Sequence, residues 1–309
     1  MGNVGLDNGS YLHHWIACLF LISICLLAVD LVTVFGFVLR NITHRLRLLA
    51  LSAGILLCVM AHIQGSRPPV VTEHEIVMQG LPGELDETVL AAVADTHIGA
   101  DNGLEWLEER VQQILDMRPD MIVLIGDIVA RNGSENYRAE LTGILQRLEA
   151  PLGVWVVRGN HESKTSIETF EKAGIRLLRD ESVEISPGFV LAGIDQAREW
   201  ELRDSIYAVA FAKTLGSRPK GATVLLCHEP LRATLAEEAG VELMLCGHTH
   251  GGQVWPFGYL VRTMYEYIAG RYEVDDMSLL VSRGTGTWGP RMRLWRRGEI
   301  LQITLRSKE

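Results

Sequence analysis

The hydrophobic pattern divides the chain into two unlike parts. Trp15 to Leu39 (WIACLFLISICLLAVDLVTVFGFVL) is an apolar run whose single charge is Asp30. It is long enough for a helix to cross a hydrocarbon core of ~30 Å. Leu48 to Ile63 is a second, shorter apolar run, which can still span if Arg47 snorkels at its end. The pattern predicts two helices, over about 15–39 and 47–63. Between them RNITHRLR carries Arg40, Arg45 and Arg47, whereas residues 1–14 contain no Lys or Arg. The positive-inside rule then places the arginine loop in the cytoplasm. A hairpin of two spanning helices puts everything after Gln64 outside the cell membrane. If the second run only lay in the interface, the remainder would be cytoplasmic; the hairpin is the reading adopted. No basic stretch and small-residue cleavage site mark a signal peptide. Asp30 is costly in a bilayer. It faces no charge in the second apolar run and reads as a tolerated or helix-pairing carboxylate.

After the polar, stiff SRPPVVTEHE the period changes. Short apolar runs at Thr88–Ala94, Met121–Ile125, Val154–Val157, Val190–Ile194, Val224–Cys227 and Leu243–Cys246 read as buried strands. Val183–Ile185 pairs with Val190–Ile194 around the turn Ser186-Pro187-Gly188. Leu279–Ser282 and Ile300–Leu305 close the chain as further strands. Gly103–Met117 and Tyr137–Leu148 have helical spacing. Strands alternating with helices predict a layered α/β domain. The organisation expected is an anchor over 1–66, a linker and first strand over 67–87, and an α/β domain over 88–309.

Composition adds three constraints. The mean hydropathy of +0.14 is high for a soluble protein, and the excess sits in the first 66 residues. The net charge of −9 argues against a nucleic-acid binder. The five cysteines have no zinc-like or disulfide-framework spacing and read as reduced, buried thiols.

The candidate chemistry lies at the strand ends, where α/β sheets build their sites. Of six histidines beyond Pro68, five (His97, His161, His228, His248 and His250) fall there. Asp95 and His97 follow the first of these strands, Asp127 follows Gly126, and Asn160 precedes His161. Two Asp, one Asn and four His are too many ligands for one ion and suit two. Mixed nitrogen and oxygen ligation without thiolate favours manganese, iron, zinc or cobalt over calcium or a structural zinc. Such a pair can clamp the attacking and leaving oxygens of a phosphoryl displacement, and His161 is then free to protonate the leaving group.

The ordered set ADTHIG, IGDIV, RGNHE, CHEP and CGHTHGGQ resembles the calcineurin-like metallophosphoesterase family. GHTHGGQVWP and SRGTGTWGPRMRL are similar to its membrane-anchored or exported bacterial branch. The resemblance implies a two-sheet β-sandwich flanked by helices. It implies one metal held by Asp95, His97, Asp127 and His250, and a second by Asp127, Asn160, His228 and His248, with Asp127 bridging. It implies His161 as the catalytic histidine and hydroxide activated by two divalent ions (manganese, zinc or iron) as the nucleophile. The substrate class implied is a phosphodiester, phosphomonoester or pyrophosphate, for which the membrane anchor suggests a lipid-linked or envelope molecule.

Two alternatives stand beside this reading. A UDP-diacylglucosamine-type pyrophosphatase would need a cytoplasmic domain, and a non-catalytic metal-binding scaffold would be expected to lack a ligand or His161. Among other residues, Glu162 reads as a charge at a helix N-terminus, and Gln253 as a loop brace or substrate contact. Arg283, Arg291 and Arg293 read equally as phosphate contacts or, with Arg296 and Arg297, as a solvated rim. Tyr265 and Tyr267 read as packing, or with Trp255 and Trp288 as a surface near the bilayer.

Overall fold

A computed structural model of the protein describes residues 8–99, 101–129, 135–196 and 203–308. Residues 1–7 of the expected anchor lie outside the described residues.

Helices α1 (Asn8–Val32) and α2 (Thr43–Ser66) form an antiparallel hairpin, and both are long and apolar enough to cross a membrane. Small residues let them approach. A Cβ on Gly54 would collide with the backbone of Ile22, the close contact that small residues permit between apolar helices. The first helix ends seven residues before the apolar run does. Hydropathy does not register the turn at 33–42, where Gly36 has φ 89° and its N–H donates to the Thr33 hydroxyl. Asp30 has a charged partner after all: Arg47, on the first turns of α2, lies 2.8 Å away.

The remainder is two packed sheets, each of six strands among the described residues. The first sheet contains β1 (Val70–Met78), β2 (Val89–Val93), β3 (Met121–Ile125), β4 (Val154–Val157), the short β5 (Arg176–Leu177) and β12 (Glu299–Ser307). Its order is β1-β12-β2-β3-β4-β5, with only the β12–β2 pair antiparallel. The second contains β6 (Glu181–Ser186), β7 (Phe189–Ile194), β8 (Ala222–Cys227), β9 (Leu243–Cys246), β10 (Gly270–Val274) and β11 (Met277–Val281), in the order β10-β11-β9-β8-β7-β6. Here β7, β8, β9 and β11 run parallel, with an antiparallel strand at each edge.

The central strands are continuously apolar because both their faces are covered. Period-two alternation sends Leu90, Ala92, Val123 and Val157 to the layer between the sheets, where they meet Leu191, Val224 and Leu245. Their neighbours Ala91, Val93, Leu124 and Val156 face the outer helices α3 (Leu104–Asp116), α4 (Glu135–Leu145) and α5 (Lys164–Lys172). On the other flank Ala192, Leu225, Cys227 and Cys246 lie under α6 (Arg203–Gly216) and α7 (Ala233–Glu238). The two buried thiols are therefore core residues on the outer face of the second sheet. α3 explains its own seat: Leu107, Val111 and Ile114 recur at helical spacing and are buried. The sandwich matters for function because β2, β3, β4, β8 and β9 all end at one edge.

Candidate metal centre

Five loops leave that edge, and their first hydrogen bonds continue the sheets. Asp95 N–H donates to Gly126 O at 3.0 Å, His97 N–H to Asp127 O at 3.0 Å, and Gly247 N–H to His228 O at 2.9 Å. Adjacent strands thus deliver adjacent loops. The backbone then turns sharply. Asp95, His97, Asp127, His248 and His250 all have positive φ, between 45° and 70°. Non-glycine residues seldom adopt that region, and each costs on the order of 1–3 kcal/mol. The turns aim the side chains back over the sheet edge. Gly126 and Gly159 make room for this. A Cβ on Gly126 would strike Gly159 N and His228 Nδ1, and one on Gly159 would strike the Asp127 carboxylate.

The side chains form two groups that meet at Asp127. In the first, His97 Nε2 and His250 Nε2 face each other at 3.1 Å, their rings stacked. Asp95 Oδ1 is 3.7 Å from His250 Nε2, and Asp127 Oδ2 is 3.7 Å from His97 Nε2. In the second, His248 Nδ1 lies 3.0 Å from Asn160 Oδ1 and 3.3 Å from His228 Nε2. Asp127 Oδ2 is 3.3 Å from the same His228 nitrogen. His161 stands over the junction, its Nε2 3.9 Å from Asp127 Oδ2 and its ring edge-on to His97. All eight predicted residues are brought together. Asn160 and His161 are exposed while Asp95 and His228 are buried, so the cluster opens on one side only.

The donor set fits divalent cations. Two imidazole nitrogens at 3.1 Å repel unless a proton or a cation lies between them. The outer Nδ1 atoms of His97 and His250 are buried without a hydrogen-bond partner among the described residues. Electrostatics agree. Burial pushes the Asp95 carboxyl up to about 7 and His97 down to about 4, and takes His250 well below its ordinary value. Asp127 is also raised by burial, but His228, His97 and His161 outweigh that and hold it below the usual carboxylate range. Burial lowers His228 in turn, yet Asp127 and Asp95 lift it to about 10. Cation binding at these groups requires the carboxylates ionised and the ligating imidazole nitrogens free of protons.

Several residues act differently from their sequence reading. Glu162 is not a charge on the helix terminus: α5 is capped by Ser163. Its buried carboxylate instead accepts from the backbone N–H groups of Asp127, Ile128 and Gly159 at 2.9, 2.6 and 2.6 Å, clasping two of the loops. Tyr265 is more than packing, since its hydroxyl lies 2.8 Å from His248 Nε2 and 3.2 Å from Glu229 Oε2. Tyr267 packs against Tyr272. Arg293 is neither rim nor exposed phosphate contact. It is 2% exposed, and its guanidinium donates to the carbonyls of Arg283, Gly284 and Gly286. Arg283 pairs with Glu299 at 2.7 Å. Gln253 braces the loop at Trp288–Pro290. Gly247 serves by space, because a Cβ there would press on the Asp95 carboxylate. The signal for Glu162 was available in RGNHE, where a carboxylate directly follows the candidate histidine. Tyr265 gave no signal, because nothing local links it to His248.

The calcineurin-like phosphoesterase family profile matches residues 88–252, the span that carries all five loops. The chain belongs to the calcineurin-like phosphoesterase family. A metallophosphoesterase of Aquifex aeolicus is 32% identical over 248 residues, covering 77% of this chain and 92% of that one. A bovine (Bos taurus) "transmembrane protein with metallophosphoesterase domain" is 30% identical over 277 residues, covering 84% of this chain and 62% of its own length. Against the first curated relatives it matches, this calcineurin-like chain spans 62–64% of their length. Among solved structures, TT1561 of Thermus thermophilus is 13% identical with a TM-score of 0.41, covering 64% of this chain and 90% of that one.

Proposed function

We propose that this member of the family is a membrane-anchored phosphoesterase with a binuclear metal centre. The observation that carries the reading is the convergence of Asp95, His97 and His250 on one side of Asp127, and of Asn160, His228 and His248 on the other. The first three would hold one ion and the second three the other, with Asp127 serving both. When bound, two divalent ions supply Lewis acidity and a water acidic enough to attack phosphorus at neutral pH. Manganese, zinc and iron all suit these ligands.

The protein's own groups do the remaining work. His161 is tethered by its backbone, with its N–H donating to Asp127 Oδ1 at 2.8 Å, while its ring is partly exposed at the open side. That placement suits a proton donor to the leaving alkoxide. Glu162 keeps the Asp127 and Gly159 loops in register, and Tyr265 fixes the ring of His248. The complete donor set supports catalysis over a metal-binding scaffold.

The anchor is residues 1–66, followed by a linker with the first strand over 67–87 and the catalytic domain over 88–309. The helices α1 and α2 support it, as does the transmembrane name of the bovine relative. Arg40 in the connecting turn and Arg45 on the first turn of α2 favour a catalytic domain outside the cytoplasm, in the cell membrane. The substrate is a phosphoester, and the anchor supports a lipid-linked or envelope molecule. The test is turnover of an aryl phosphodiester by the full chain with manganese. Asp127→Asn and His161→Ala should each remove most of it; near-complete activity in either variant would overturn the assignment.

A further inference from the structure

The catalytic domain does not stand clear of the helix hairpin. The segment Arg291–Trp295 is stitched to the helix ends by its own backbone: Arg291 N–H donates to His14 Nε2 at 3.2 Å, Arg293 N–H to Ala61 O at 2.9 Å, and Trp295 N–H to Gln64 Oε1 at 2.7 Å. Gly65 permits the approach, since a Cβ there would lie on the Arg291 carbonyl. Contacts continue along the hairpin. Val254, Met292 and Leu294 share an apolar cluster with Leu21 and Ala61, with Leu57 and Cys58 beside them. The ring of Phe257 meets that of Phe20 edge-on at 6.2 Å. From His14 to Phe20 is roughly 9 Å of helix rise. Phe20 and Leu57 both lie inside the apolar spans. Where those spans cross a bilayer, the loops around 254–264 and 291–295 reach past the headgroups toward the acyl boundary.

Their exposed side chains suit that depth. Trp255, Phe257, Tyr259, Leu260, Met264 and Trp295 are between 41% and 67% exposed. So many large apolar groups on one rim mark an interaction surface, and Trp and Tyr favour the membrane–water interface. Behind this rim, between the Gln253–Arg262 and Arg293–Arg296 segments and including α8 (Gly258–Val261), opens a cleft of about 370 Å³. Its walls include Arg262, Arg283, Arg293 and Arg296, and among the described residues no carboxylate lines it. Arg283 and Arg293 are committed to Glu299 and to backbone carbonyls. Arg262 and Arg296 are exposed and make no ion pair among the described residues. Two free guanidiniums beside an aromatic rim at bilayer depth are suited to a lipid phosphate. Arginine binds phosphate through paired N–H donors, and basic pockets at membrane-protein surfaces take anionic headgroups. A soluble phosphate would need the arginines but would have no use for the apolar rim.

The geometry points to this cleft as a binding site for the headgroup phosphate of an anionic phospholipid from the bilayer that holds α1 and α2. The inference rests on the anchored reading of the hairpin. It gives the membrane-facing loops a ligand, and His250 forms a wall shared by the cleft and the metal cluster.

The full-length protein is reconstituted in nanodiscs of phosphatidylcholine with a minor fraction of phosphatidylglycerol, and the lipids that stay bound are counted by native mass spectrometry. Phosphatidylglycerol should be retained selectively. The double variant R262A/R296A should retain roughly tenfold less of it, with its manganese content intact. Lipids brominated near the headgroup should quench the fluorescence of Trp255 and Trp295. Equal retention by the double variant, equal retention of the two lipids by the parent protein, or absence of quenching would each overturn the proposal. Displacement of the lipid by millimolar inorganic phosphate would assign the cleft to a soluble anion and overturn it as well. Manganese content and aryl phosphodiester turnover of the same sample report on the phosphoesterase reading separately. Their loss would count against that reading while lipid retention still decided this one.

Discussion

Tyr265→Phe removes one oxygen atom and should weaken the binding of one ion of the proposed pair. His248 presents Nδ1 toward Asn160 and His228, and Nε2 toward the Tyr265 hydroxyl at 2.8 Å. For Nδ1 to ligate, the ring proton must sit on Nε2, which then donates to the tyrosine oxygen. The hydroxyl in turn reaches Glu229 Oε2 at 3.2 Å, and Glu229 is 1% exposed and fixed by Gln196. A buried carboxylate thus sets the tyrosine proton, and the tyrosine sets the histidine tautomer. Phenylalanine keeps the edge-on ring contact at 5.3 Å, so lost packing does not confuse the result. Removing such an outer partner of a ligating histidine costs about 10- to 100-fold in metal affinity, or about 1.4–2.7 kcal/mol.

The assay is competition of the full-length protein in detergent against a chelator series, counting bound manganese at each step. The parent protein should release its ions in two resolvable steps. The variant should lose the His248-side ion 10- to 100-fold earlier while the other ion, on Asp95, His97 and His250, holds its place. Excess manganese should restore turnover. Unchanged affinity at both sites would refute the relay. So would equal weakening of both, which would mean that the substitution had loosened the whole edge rather than one ring.

Two further substitutions test the scaffold. Glu162→Gln keeps the shape of the clasp but turns an N–H₂ group toward backbone N–H donors that the carboxylate now accepts from. At about 1–3 kcal/mol for each donor left unsatisfied, thermal unfolding of the catalytic domain should shift down by several degrees and metal affinity should fall; an unchanged melting curve would show that the loops are held by other means. Gly65→Ala sets a methyl group against the Arg291 carbonyl, an overpacking of about 1–3 kcal/mol. Hydrogen exchange at 291–295 should speed up while membrane insertion is unaffected, and unaltered exchange would refute the close docking of this segment on α2.

The parts legible in the sequence are those that chemistry or period makes local. Strands such as Met121–Ile125 and Val154–Val157 have the predicted bounds because a doubly buried strand must be apolar throughout and is closed by polar loop residues. The candidate ligands stood out because polar residues at strand ends fall on one edge of such a sheet. What the pattern did not disclose depends on contacts remote in sequence. Asp30 found its partner in Arg47, outside the second apolar run. Arg293 looked like a surface cation, yet it is consumed by three carbonyls of the loop beside Asp95. The first helix stops at Val32 because a turn is made by φ angles, and an apolar turn leaves no mark on hydropathy.

The strongest structural evidence for a site is of this hidden kind. Asp95, His97, Asp127, His248 and His250 each occupy a backbone region that glycine would enter without strain. At on the order of 1–3 kcal/mol apiece, five such residues cost together as much as a small domain's entire net stability. Glycines are present in the same loops at 126, 247, 251 and 252, so the chain had no shortage of easier residues. Positive φ alone does not mark a site, because ten other non-glycine residues among the described ones share it, Glu87, Arg118 and Asp275 among them; what sets these five apart is where their side chains meet. Here all five side chains converge on one open pocket of donor atoms, three of them imidazoles and two carboxylates. Folding alone gives no reason for that convergence, whereas cation binding requires it.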